Sequence, residues 1–147
     1  MTEIKLHIYS ASFEELLPLP YADAGIHAGF PSPAQDYITE SIDLNRELIH
    51  NPETTFYAKV EGDSMTGAGI YDGDWVVIDK SLEAKDGDYI AAFIDGEFTL
   101  KQFKLDLQNA CAWLIPYNPN YSPIRVTQDN DFMVWGVVTN IIRRLRR

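Results

Sequence analysis

The sequence predicts a mainly β domain, barrel-like or built as a folded ribbon, preceded by an irregular arm. Three observations carry this. After Thr54, short apolar runs rich in Val, Ile, Tyr, Phe and Trp recur between turns marked by Gly and Asp. Within them, Ile94-Asp95-Gly96-Glu97 places Asp-Gly between two apolar runs, the signature of a two-residue hairpin with a type I′ turn. Before Thr54 the pattern changes: Pro18 and Pro20 interrupt the chain, and small residues dominate Tyr21 to Gly29.

Taken in order, Lys5 to Ser10 can make a short strand and Phe13 to Leu17 a helical turn, which Pro18 and Pro20 break. Tyr21 to Gly29 can lie extended and admit a close backbone neighbour. Ser32 is a candidate N-cap with Pro33 at the first helical position and Gln35 at the third, predicting a short helix to about Glu40. A second helix starts after Asp43, with Leu44, Leu48 and Ile49 on one side, and Asn51-Pro52 stops it. Strands follow at Thr55–Val60, Trp75–Asp79, Phe98–Phe103, Cys111–Ile115, Ile124–Thr127 and Phe132–Ile142. Asp72-Gly73-Asp74 and Asp86-Gly87-Asp88 are turns between them.

At 147 residues the chain suits one compact domain, and 46% hydrophobic against 23% charged residues predicts a folded body. A net charge of −10 argues against binding duplex DNA, since phosphate affinity is built from Lys and Arg clusters. The one dense basic run, Arg143 to Arg147, reads as a solvated terminus or a contact for an acidic partner. The single cysteine, Cys111, excludes an internal disulfide framework; it sits in a strand expected to be buried. With no signal pattern and no apolar run of membrane-spanning length, a cytoplasmic protein is expected. His7, His27 and His50 have no metal or triad spacing, and the Asp-Gly-Asp runs lack a full calcium loop, so no metal or cofactor is expected.

Two residues carry candidate chemistry. Val60-Glu61-Gly62-Asp63-Ser64-Met65 is a strand followed by a turn that exposes one hydroxyl. Such a serine either caps its turn or acts as a nucleophile, with the backbone amides of Asp63 and Ser64 as oxyanion donors. In the predicted hairpin Lys101 pairs with Ile90, which puts Thr99, Lys101 and Phe103 on one face opposite Ile90 and Ala92, and Lys104 on the other. A lysine on such a face either snorkels to water or loses hydration and becomes a neutral base.

Gly62-Asp63-Ser64-Met65, Asp72-Gly73-Asp74, Asp86-Gly87-Asp88, Asp95-Gly96-Glu97-Phe98-Thr99-Leu100-Lys101 and Pro116-Tyr117-Asn118 together resemble the LexA/UmuD self-cleaving serine peptidases. Gly29 to Tyr37 and Ser41 to Asn45 are similar to the UmuD branch in particular. The resemblance covers roughly residues 25–142. It implies a LexA/signal-peptidase-like folded β-ribbon with a flexible N-terminal arm and one or two short helices. It also implies Ser64 as nucleophile, Lys101 as general base, and Ala28-Gly29 as the scissile bond. Residues 1–28 are then the arm removed by self-cleavage, and 29–147 the peptidase-like domain. UmuD has cysteine where this chain has Ala28, while LexA-type repressors are cut at Ala-Gly. By the same resemblance the partners are a second copy, a RecA filament on single-stranded DNA and a UmuC-like polymerase subunit, in SOS translesion synthesis. Competing expectations are a non-catalytic dimeric module regulating a polymerase, a repressor, which would need a DNA-binding domain before the cleavage site, and a signal-peptidase-like enzyme, which would need a membrane anchor.

Overall fold

The computed structural model describes residues 4–10, 19–22 and 38–146. The chain divides into two compact units, one of Met1–Ala11 with Glu53–Arg147 and one of Ser12–Pro52.

The larger unit holds an eight-stranded antiparallel sheet in the spatial order β1-β4-β5-β10-β6-β7-β8-β9. Its strands are β1 (Lys5–Ser10), β4 (Thr55–Glu61), β5 (Trp75–Asp79), β6 (Tyr89–Ile94), β7 (Glu97–Asp106), β8 (Cys111–Ile115), β9 (Ile124–Val126) and β10 (Phe132–Ile142). Mainly β is therefore correct, and the predicted strands recur within a few residues of their expected ends. β1 belongs to this sheet although it lies inside the predicted arm: Leu6 pairs with Val60 and Ile8 with Ala58.

Register follows the expected hairpin. Asp95 and Gly96 both take positive φ, +49° and +88°, as a type I′ turn requires. Ile94 therefore opposes Glu97, and Ile90 opposes Lys101. Alternation along β6 and β7 then feeds two apolar clusters. Ala91 and Leu100 join Ile4, Val60, Met65 and Ile78 in one; Ile90, Ala92 and Phe103 join Leu114, Val126 and Val137 in the other. β5, between β4 and β10, is buried continuously from Val76 to Asp79, as an interior strand should be. β10 spans two neighbours by shifting register between Val134 and Gly136 and again between Val138 and Asn140.

In the smaller unit β2 (Leu19–Ala22) pairs with β3 (Ile38–Ile42). This corrects the helix expected to reach Glu40. Ile38, Thr39 and Ile42 are β-branched, and a strand partner outweighs a capping signal placed several residues upstream. Pro20 lies within β2 rather than ending it, which a two-stranded ribbon tolerates because both strands are edges. Helix α1 (Leu44–Leu48) starts where expected: Asp43 caps it by accepting from the Asn45 amide at 3.0 Å. Leu44 is nonetheless exposed, whereas Ile49 is buried. The predicted turn at Phe13–Leu17, the start of the Ser32 helix and Ala28-Gly29 lie outside the described residues.

Candidate active site

β4 delivers the chain to Glu61, and a tight turn then reverses it. Gly62 adopts φ +112°, a conformation an L side chain would resist, and its N–H is held by the Asp72 carboxylate at 2.9 Å. On the far side, the Asp63 carboxylate accepts from the Tyr121 hydroxyl at 2.6 Å. The Asp63 carbonyl accepts from Asn118 Nδ2 at 2.9 Å, and the Ser64 carbonyl from the Tyr117 amide at 2.8 Å. These last two bonds fix the peptide planes on either side of Ser64. The Asp63 carbonyl shares its plane with the Ser64 N–H, one of the two expected oxyanion donors. Met65 then enters the core, fully buried.

β7 brings the second residue. Lys101 Nζ lies 3.1 Å from Ser64 Oγ, and both side chains are completely enclosed. The amine also donates to Thr99 Oγ1 at 2.9 Å and to the Leu100 carbonyl at 3.2 Å. All three of these acceptors, two hydroxyls and a carbonyl, are neutral groups. The expected face is reproduced: Thr99, Lys101 and Phe103 are buried, as are Ile90 and Ala92 across from them, while Lys104 is exposed. The sequence thus located the pair and the strand face that joins it. It gave no role to Asn118, Tyr121 or Asp72, whose residue types in turns have ordinary uses, nor to Thr99, visible only as a neighbour on the same face.

Other candidates fall elsewhere. The basic tail is not uniformly solvated: Arg143 turns inward and grips buried Asp74 through two bonds of 2.7 and 2.6 Å, while donating to the Gly69 carbonyl. Its guanidinium sits over the Tyr71 ring at 4.5 Å. Nothing in the tail's composition distinguished Arg143 from its neighbours. His7 pairs with Glu61 on the surface, His50 is exposed, and His27 lies outside the described residues. Cys111 is only half-buried, 3.8 Å from Asp106, because the turn preceding β8 leaves that end of the strand open. Hydrogen bonds from Asn109 and Trp113 hold the Asp106 carboxyl below its usual range. Among the described residues no helix is long and apolar enough to cross a membrane.

Comparison with known proteins gives a consistent result. The peptidase S24-like family matches residues 20–139. The chain is 41% identical to SamA of Salmonella typhimurium over 119 residues, covering 81% of each. It is 35% identical to MucA of Salmonella typhimurium over 139 residues, 93% of each. Against the LexA repressor of Mycobacterium leprae it is 44% identical over 120 residues, 82% of this chain but 48% of that one.

Proposed function

Since the chain belongs to the peptidase S24-like family, we propose that it is a serine peptidase whose main substrate is its own Ala28-Gly29 bond. Ser64 is the nucleophile and Lys101 the general base. One observation carries the reading: an enclosed amine 3.1 Å from an enclosed hydroxyl. A neutral Lys101 takes the Ser64 proton as Oγ attacks the Ala28 carbonyl. The amides of Asp63 and Ser64 receive the developing oxyanion. Collapse expels the Gly29 amine, which takes up the proton that Lys101 carries, and water then releases residues 1–28 from the acyl-enzyme. Thr99 and the Leu100 carbonyl aim the amine at Ser64. The substrate is covalently attached to its enzyme, so its effective concentration is high without a tight substrate pocket.

The trimmed protein, by this proposal, is a homodimeric accessory subunit of a UmuC-like error-prone polymerase, and a RecA filament on single-stranded DNA favours the cleavable state. Similarity to SamA and MucA over most of the chain supports this branch over a repressor. The test is incubation of the purified chain with an activated RecA filament, followed by mass spectrometry. A fragment beginning at Gly29 is expected, with spontaneous cutting accelerating as pH rises and Lys101 loses its proton. Ser64→Ala and Lys101→Ala should each slow cutting by roughly a thousandfold or more while remaining folded. Normal processing of either variant would remove that residue from its role.

A further inference from the structure

The segment that self-cleavage would sever is not a passive leader. β1 lies within residues 1–28, yet it forms the outer strand of the main sheet, pairing with β4 in unbroken antiparallel register from Lys5↔Glu61 to Ser10↔Phe56. Its alternate residues face in opposite directions, and both sets are engaged. Inward, Ile4 and Leu6 are buried and Ile8 packs beside them, in the cluster that also contains Val60 and Met65, the residue after Ser64. Outward, His7 meets Glu61 at 2.6 Å and the Tyr9 ring lies 5.3 Å from that of Trp75. A strand held by a backbone ladder, an apolar row and specific outward contacts does not need its covalent link to stay bound.

We propose that β4 carries a strand-binding site along its edge whose occupant is residues 4–10 of the chain's own leader, and that this occupant remains seated after the backbone is cut at Ala28-Gly29. Cutting and shedding are then separate events. The immediate product is a two-piece molecule with its core intact. The active product appears only when β1 leaves, exposing the backbone groups of β4 together with the apolar row that Ile4 and Leu6 covered. An unpaired edge of that kind recruits another strand. The proposal takes its occasion from the self-cleavage reading above, but the site can be tested without it.

The experiment uses the full chain carrying Ser64→Ala, so that no self-cutting occurs, with the recognition sequence of an exogenous site-specific protease substituted into residues 24–28. After complete digestion, native mass spectrometry and gel filtration at falling micromolar concentrations should find leader and body together. A labelled synthetic peptide of residues 3–11 added in excess should exchange with the leader. Leu6→Asp, which puts a carboxylate where the apolar row is buried, should weaken retention on the order of a hundredfold. Should that variant fail to fold before digestion, His7→Ala with Tyr9→Ala removes only outward contacts and should give a smaller but measurable loss. Immediate separation of leader from body at every concentration, with no peptide uptake, would overturn the proposal. It would leave untouched the question of whether Ser64 cuts the chain.

Discussion

Two turns with the same three residues, Asp72-Gly73-Asp74 and Asp86-Gly87-Asp88, have the same geometry and different surroundings. In each the glycine has positive φ, +87° and +92°. In each it donates to a strand carbonyl at 2.8 Å, Gly73 to Val60 and Gly87 to Phe103. The strand residue donates back, Val60 to the Asp74 carbonyl and Phe103 to the Asp88 carbonyl. The leading carboxylates take the amides of Gly62 and Leu105, and the trailing ones the amides of Tyr71 and Lys85. One device is thus used twice: once on the strand that leads to Ser64, once on the strand that carries Lys101. What differs is burial. Asp74 is enclosed and paired with Arg143, whereas Asp86 is exposed and Asp88 half-buried. The same turn should therefore be worth more at the first site than at the second, because a carboxylate withdrawn from water is costly to leave unmatched and its partners costly to orphan.

The largest effect is expected at Asp74. Asp74→Ala strips the acceptor from the Tyr71 amide and the counter-charge from Arg143, and should cost about 2–3 kcal/mol in urea unfolding. Arg143→Ala attacks the same pair from its partly exposed side. It takes two charge-assisted bonds away from a buried carboxylate and should lower the thermal midpoint by several degrees. If Asp88→Ala proves as damaging as Asp74→Ala, burial is not what separates the two turns.

Asp72→Ala sharpens the comparison in another direction. Asp72 is exposed, but the amide it holds belongs to buried Gly62, two residues before Ser64. Its loss should cost about 1–2 kcal/mol and slow self-cutting more than global stability explains, because the turn that aims Ser64 loses one of its anchors. Comparing the cleavage rate of folded Asp72→Ala protein with that of Asp86→Ala separates positioning from stability. Equal rates would show that the clamp from Tyr117, Asn118 and Tyr121 suffices to hold Ser64.

How much of this could be read from the chain depends on sequence distance. The hairpin around Asp95-Gly96 was legible because a two-residue turn dictates register, and register alone carried Lys101 to its face opposite Ile90. Strand limits were legible from the apolar runs. The clamp on Ser64 was not, since Asn118 and Tyr121 lie more than fifty residues from Asp63 and meet it only through the fold. Arg143 was hidden for the same reason, sixty-nine residues from Asp74 and inside a run of arginines that differ in nothing local. The β3 strand was missed because a capping box announces a helix start without measuring the pull of a strand partner. The repeated turn was visible only as a repeated tripeptide; its equivalence lies in the bonds to Val60 and Phe103.

The smallest effect is expected at Asp86, and it has a specific reason. Asp86 accepts the Leu105 amide at 2.8 Å on an exposed part of β7. Water can replace an exposed acceptor, so Asp86→Ala should change stability by no more than about 0.5–1 kcal/mol. Lys101 lies four residues upstream of Leu105, and its strand is held there by β6 through the Ile90 pairing and by β8 from Gln102 onward. A ladder paired on both sides does not depend on one carboxylate at its margin. Cutting measured after matched folding should therefore be unchanged in Asp86→Ala, in contrast to Asp72→Ala. A slowed rate would mean that the second turn also positions Lys101, as the first positions Ser64, and the two turns would be equivalent in effect as well as in geometry.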